Sequence, residues 1–115
     1  MTPRREPKAE LLGSLEEQVM LAVVRTGAHA YGMNVRRELE TVTGRSITIG
    51  SVYATLDRLE AKGLVESWRS PATGTSVSRR LFTVTTAGAR SLALTRDTRE
   101  RLWSGVSLRA LGLSH

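Results

Sequence analysis

Cysteine is missing from this chain altogether, which excludes disulfides, thiolate metal sites and cysteine nucleophiles and fits a reducing cytoplasm. Aromatic side chains are scarce too. One Phe, two Tyr and two Trp supply too little stacking surface for a protein that grips unpaired RNA bases. Long apolar runs are also lacking: the longest, residues 19–24, falls far short of the roughly 20 residues a bilayer span requires. With no apolar signal region at the N-terminus, the expectation is a soluble, cytoplasmic protein that makes no use of a membrane. Histidine is nearly absent, and His29, the internal one, falls in a loop between helices where a surface position is expected. Without a nucleophile, a base or an acidic pair in an apolar setting, no catalytic residue, metal site or cofactor is assigned, and the chain does not read as an enzyme.

One sign of charge is locally missing as well. Between Ser67 and Arg96 there is no Asp or Glu, whereas Arg69, Arg79, Arg80, Arg90 and Arg96 all fall there. The whole chain carries seventeen Lys and Arg against eleven Asp and Glu, a net +6, and in the earlier part Glu38 and Glu40 balance Arg36 and Arg37. Positive charge therefore concentrates in one segment. Phosphate affinity is the favoured meaning, because no basic amphipathic stripe with aromatic anchors points to a lipid surface.

What is present is organised for a single domain, the size expected of 115 residues. Residues 1–11 hold two of the three prolines together with Arg4, Arg5 and Lys8. They read as a flexible basic arm, either solvated or tracking phosphates. A first helix is expected from Ser14, with Glu17 completing a capping box. A second is expected over 31–43, stopped by Gly44, and Ser46 or Thr48 should cap a third. In that third helix Ile49, Val52, Leu56, Leu59 and Leu64 form one apolar stripe. Gly50, Ser51, Ala54, Asp57, Arg58 and Ala61 fall opposite, a face free of bulk near its start that suits close approach to a groove floor. Gly63 ends the helix, and residues 65–69 and 79–84 predict a β-hairpin, or wing, with a long tip. The fold class is accordingly mainly α with a small β-hairpin. It divides into the arm, a domain of helices and wing over 12–85 that is expected to bind DNA, and a C-terminal helical dimerisation segment over 86–115.

Two apolar clusters call for a partner. Residues 19–24 are apolar all round, so that helix must be covered on two sides, by the domain core and either by a second chain or by the C-terminal helix of its own. Val19, Met20 and Val23 are the interface candidates there. In the C-terminal segment residues 95–101 contain no apolar side chain, after which Leu102, Trp103, Val106, Leu108, Leu111 and Leu113 return. Leu102, Trp103 and Val106 are assigned to the same homodimer interface. Trp103 is either an anchor of that interface or a platform on which a planar small-molecule effector stacks.

The DNA contacts are assigned to Tyr31, Ser51, Tyr53, Thr55, Arg58, Arg79 and Arg80. Ser51, Thr55 and Arg58 would reach base edges or phosphates from the third helix, with the Tyr53 hydroxyl on its flank. Tyr31 stands at the start of the second helix, where free amides favour an anion, and either packs in the core or joins a phosphate there. Arg79 and Arg80 would neutralise phosphates from the wing.

Leu15-Glu16 with residues 19–24, Ala30-Tyr31-Gly32, Ile49-Gly50-Ser51-Val52-Tyr53, the run Leu56-Asp57-Arg58-Leu59-Glu60-Ala61-Lys62-Gly63-Leu64-Val65 and the exit Phe82-Thr83-Val84-Thr85-Thr86-Ala87-Gly88 together resemble the signature of PadR-like transcriptional regulators. The resemblance spans about residues 12–94 and is to the short form with one C-terminal helical segment. It implies a winged helix-turn-helix dimerised through its first and C-terminal helices, acting as a ligand-responsive repressor on double-stranded DNA. The competing expectation is a winged-helix protein-interaction module without DNA binding, which should carry an apolar or acidic wing.

Overall fold

The computed structural model describes residues 9–71 and 77–113. Most of the basic arm, including Arg4, Arg5 and Lys8, lies outside them, as do the hairpin-tip residues 72–76. Four helices and one hairpin follow in the order α1 (Ser14–Thr26), a 3-10 turn (Gly27–His29), α2 (Gly32–Thr43), α3 (Ile49–Ala61), β1 (Val65–Arg69), β2 (Arg80–Val84) and α4 (Thr86–Trp103). The molecule is mainly helical with one hairpin, as the residue pattern predicts, and its arrangement is a winged helix.

The first three helices close around one core in which Val19, Met20, Val35, Leu56, Leu59 and Phe82 are fully buried. Each such side chain contributes on the order of 1.5–3 kcal/mol relative to leaving it in water. The apolar stripe of α3 faces this core, while Gly50, Ser51, Ala54, Asp57, Arg58 and Ala61 are exposed opposite it. Val42 does not join Val35 and Leu39 in the core: it lies 59% exposed, one turn beyond the last buried position of α2.

Local signals set the ends of these elements. The Thr48 hydroxyl accepts from Ser51 N at 3.1 Å, capping α3. Gly63 takes φ +75°, a left-handed value that turns the chain from α3 into β1 at no Cβ penalty. At α1 the expected capping box shifts by one residue. Gly13 holds the cap position, and Glu16, not Glu17, accepts its amide at 3.1 Å. Desolvation opposes ionisation of Glu16, but the Gly13 hydrogen bond and the nearby Lys62 and Arg58 charges prevail and lower its pKa. Glu17 instead turns inward to Arg99 of α4.

The hairpin pairs antiparallel, from Val65 opposite Val84 to Arg69 opposite Arg80. A bridge between Tyr31 and Leu81, with the Phe82 amide donating to Ala30 O at 2.9 Å, adds a short third edge. β2 thus becomes the central strand and ties the wing to the start of α2.

Two links root α4, one on the residues just before α1 and one on α1 itself. The Leu12 amide donates to Thr95 Oγ1 at 3.0 Å, and Arg99 pairs with Glu17, whose side chain is only 9% exposed. Val19, Met20 and Val23, expected at a partner interface, are 0%, 0% and 2% exposed within the single chain. Their apolar surface is consumed by the chain's own core, and the outward side of α1 consists instead of Leu21 and Val24, 43% and 57% exposed.

Candidate nucleic-acid interface

The start of α2, the flank of α3 and the base of the wing enclose a cleft of about 530 Å³ lined by Tyr31, Met33, Arg37, Tyr53, Ser78 and Arg79, with Arg69 and Arg80 at its wing side. Tyr31 precedes α2, whose first amides have no intrahelical acceptor. The guanidinium of Arg79 lies over the Tyr31 ring, 4.3 Å from its centroid, a stacking that holds the charge against the face of the ring. Tyr53 closes the cleft from α3. Its ring runs so near Gly32 that a Cβ there would stand 2.4 Å from the hydroxyl, so a larger residue at this point would have to displace the Tyr53 ring from the cleft.

Helix geometry brings Arg37 in, because Met33 and Arg37 are one turn apart on the same face of α2. The expected balance of Arg36 and Arg37 by Glu38 and Glu40 holds only in part. Glu38 pairs with Arg25 at 2.7 Å, and Glu40 lies 3.7 Å from Arg36. Arg36 and Glu40 are both turned to Ile47, Arg36 donating to its carbonyl at 2.8 Å and Glu40 accepting its amide at 3.1 Å, which fixes the turn into α3. Arg37 keeps only an Asn34 acceptor at 3.3 Å. Among the described residues Arg37, Arg69 and Arg79 have no carboxylate partner within 4.0 Å. A cleft lined by three such cations and two tyrosines at the start of a helix suits phosphate groups. The small-residue face of α3 lies beside it.

Residues 20–94 match the transcriptional regulator PadR-like family. The chain belongs to that family. Its fold is similar to a PadR regulator from Eggerthella lenta, 28% identical, with a TM-score of 0.62 over 80% of this chain and 83% of that one. A PadR family regulator from Clostridium difficile superposes with a TM-score of 0.68 at 22% identity, covering 86% of this chain and 99% of the other. A PadR-like regulator from Bacillus cereus gives 0.69 at 18% identity over 88% and 93%. No curated protein matches this chain. The protein is therefore a PadR-like transcriptional regulator. Among its described residues no helix is long and apolar enough to cross a membrane, and no three His, Asp or Glu gather as metal ligands.

Within this PadR-like frame the seven assigned DNA-binding residues separate. Tyr31, Tyr53 and Arg79 come together in the cleft, and Arg80 joins its wall. Ser51 is exposed at the start of α3. Its Oγ accepts from the Thr48 hydroxyl at 2.9 Å, which leaves its own proton for an outside acceptor. Thr55 is corrected: it is 1% exposed and donates to Ser51 O at 2.8 Å. It belongs to the buried stripe with Val52, Leu56 and Leu59, where a hydroxyl is satisfied by the preceding turn and no base edge is within reach. Arg58 is turned the other way, its Nε 3.9 Å from Glu16 Oε2 at the start of α1, and takes no part in the cleft. Arg80 is bound by carboxylates of α3, so it is not the free phosphate cation expected of the wing. The acid-free stretch 67–96 is thus partly neutralised by acids outside it, Asp57 and Glu60 on Arg80 and Glu100 on Arg96.

Arg37 and Arg69 were missed as site residues. For Arg37 the available signal is its one-turn spacing from Met33 beside Tyr31. For Arg69 it is the hairpin register, which sets the last residue of one strand opposite the first of the next.

Proposed function

We propose that this PadR-like regulator is a homodimer that binds double-stranded DNA, with the exposed face of α3 in the major groove and the Tyr31 cleft on the adjoining phosphates. The observation that carries this is the convergence of Arg37, Arg69 and Arg79 with Tyr31 and Tyr53 beside the unbulky face of α3. Ser51 and Ala54 reach base edges, while the arginines supply affinity that does not depend on sequence. A repressor of its own or a nearby promoter is the function inferred, with residues 12–85 as the binding domain and 86–115 as the dimerisation segment.

Exposed apolar surface supports the dimer. Leu21, Val24 and Val42 line a groove of about 300 Å³ between α1 and α2. Leu102, Trp103, Val106, Leu108, Leu111 and Leu113 are all exposed at the other end of the chain. Two-fold pairing of these surfaces removes both from water and places two α3 helices on one side of a duplex. The operator is then an inverted repeat with half-sites about 10 base pairs apart, or a multiple of that. Selection from random duplexes followed by gel shift tests it: enrichment of such a repeat is expected. No enrichment, with no binding even at low salt, would leave a protein-interaction module as the function.

Trp103 is 50% exposed at the end of α4, where a planar apolar effector would stack in the dimer. Such a compound is expected to quench its fluorescence and loosen operator binding in a Trp68→Phe background, with Trp103→Ala as control. Reciprocity requires DNA to weaken the compound by the same factor. If library compounds fail to bind, or bind without changing operator affinity, Trp103 is an interface anchor only.

A further inference from the structure

Arg79 and Arg80 are adjacent in sequence and opposite in use. Side chains alternate faces along a strand, so one stacks over Tyr31 while the other turns toward α3. Arg80 uses every nitrogen of its fork there. Nε donates to Ser67 Oγ at 3.2 Å, Nη1 to Asp57 Oδ1 at 2.9 Å and Nη2 to Glu60 Oε2. Ser67 Oγ donates in turn to the Glu60 carboxylate at 2.8 and 3.0 Å. The guanidinium also lies over the Phe82 ring, 4.7 Å from its centroid. Partial burial disfavours the charge, but the hydrogen bonds and charges of Asp57 and Glu60 outweigh it and raise the Arg80 pKa. Asp57 and Glu60 are three residues apart, one turn on α3, so one residue of the central wing strand is joined to the helix that bears the base-reading face.

We propose that Arg80 is a positioning residue for DNA binding, locking the wing to α3 and cancelling two carboxylates that would otherwise face the duplex. This rests on the DNA-binding function proposed above. Three of its five N–H groups are engaged within the protein and its charge is matched by two carboxylates, so Arg80 offers a phosphate far less than an unpaired arginine does. Asp57, with a side chain 60% exposed, would repel phosphates if left unpaired. The direct cross-strand partner of Arg80 is Arg69, a like-charge pair that opposes the hairpin unless one member is neutralised elsewhere. Asp57 and Glu60 neutralise Arg80 and leave Arg69 for DNA. Lysine carries the charge but not the fork that spans three acceptors.

The test is a double-mutant cycle on the selected operator and on a random duplex. Arg80→Ala and Arg80→Lys are measured in the native protein and in an Asp57→Asn/Glu60→Gln background. In the native background both are expected to lower operator affinity by about tenfold, a coupling of the size such networks show. In the Asn/Gln background the Ala change is expected to cost less than about threefold. Equal losses in both backgrounds, with rescue by lysine, would make Arg80 a phosphate contact and overturn the proposal. Amide exchange without DNA provides a second readout that separates failure of the lock from failure of the DNA-binding function. The β1 and β2 amides should exchange faster in Arg80→Ala while the α1 and α2 amides keep their protection. Wing protection that survives the change sinks the lock whether or not the native protein binds DNA.

Discussion

Val23→Asp is expected to unfold this protein, whereas Leu21→Asp combined with Val24→Asp should leave a folded monomer. Val23 is 2% exposed in the single chain, so an aspartate there is a buried charge without a partner. Leaving a buried charge uncompensated costs about 3–5 kcal/mol, against a total stability of roughly 5–15 kcal/mol for an ordinary domain. Leu21 and Val24 lie on the same helix but face outward, and charges there stay hydrated. If the proposed dimer uses that face, the double variant should sediment as a monomer with native helical content and lose operator binding. Circular dichroism with sedimentation equilibrium distinguishes the two cases. A folded, monomeric Val23→Asp would place that residue at the interface after all, and a double variant that remains dimeric would move the interface elsewhere.

The Arg69→Ala/Arg79→Ala variant should lose affinity for operator and random duplex alike. Each phosphate contact contributes about 0.9 to the slope of log K against log salt on B-form DNA. Removing two per subunit should therefore flatten the slope by about 1.8 per half-site. At low salt the loss is expected to be on the order of tenfold per arginine, or ~1.4 kcal/mol. Because both residues lack carboxylate partners among the described residues, the change unpairs no acid and melting should barely move. An unchanged slope, or a loss confined to the operator, would remove these arginines from the phosphate contacts. Ser51→Ala has the contrasting signature of about 1–3 kcal/mol on the operator and little on random DNA, as expected for a base contact.

Much of this was legible in residue order. Helix α3 and its exposed face follow from the spacing of Ile49, Val52, Leu56 and Leu59, and the hairpin follows from Gly63 and the polar stretch after Arg69. The errors have physical causes. Thr55 is small and polar, yet it lies on the apolar stripe, and a hydroxyl that bonds back to the preceding turn is as content in a core as on a surface. In residues 19–24 every position is apolar, so periodicity does not mark which side the core takes. That depends on α2, α3 and β2, the elements α1 packs against most, and β2 lies more than fifty residues later. The role of Arg80 depends on acids 20 and 23 positions earlier, which only the hairpin's return brings near. At α1 the glycine before Ser14 takes the cap position, and the box moves with it.

The root of α4 has a mechanical consequence. Thr95, held to the Leu12 amide, stands eight residues before Trp103, so at 1.5 Å per residue about 12 Å of helix projects beyond the attachment. That overhang is a lever. A tilt of about 10° at the root carries its far end about 2 Å, while Arg99 at its midpoint resists the swing through Glu17. If two such levers cross in the proposed dimer, small angular changes at their tips would become changes in the distance between the two α3 helices, against a DNA pitch that does not adjust. The stiffness of one ion pair and one hydrogen bond at the base of α4 would then set how strictly the spacing of the two half-sites is measured.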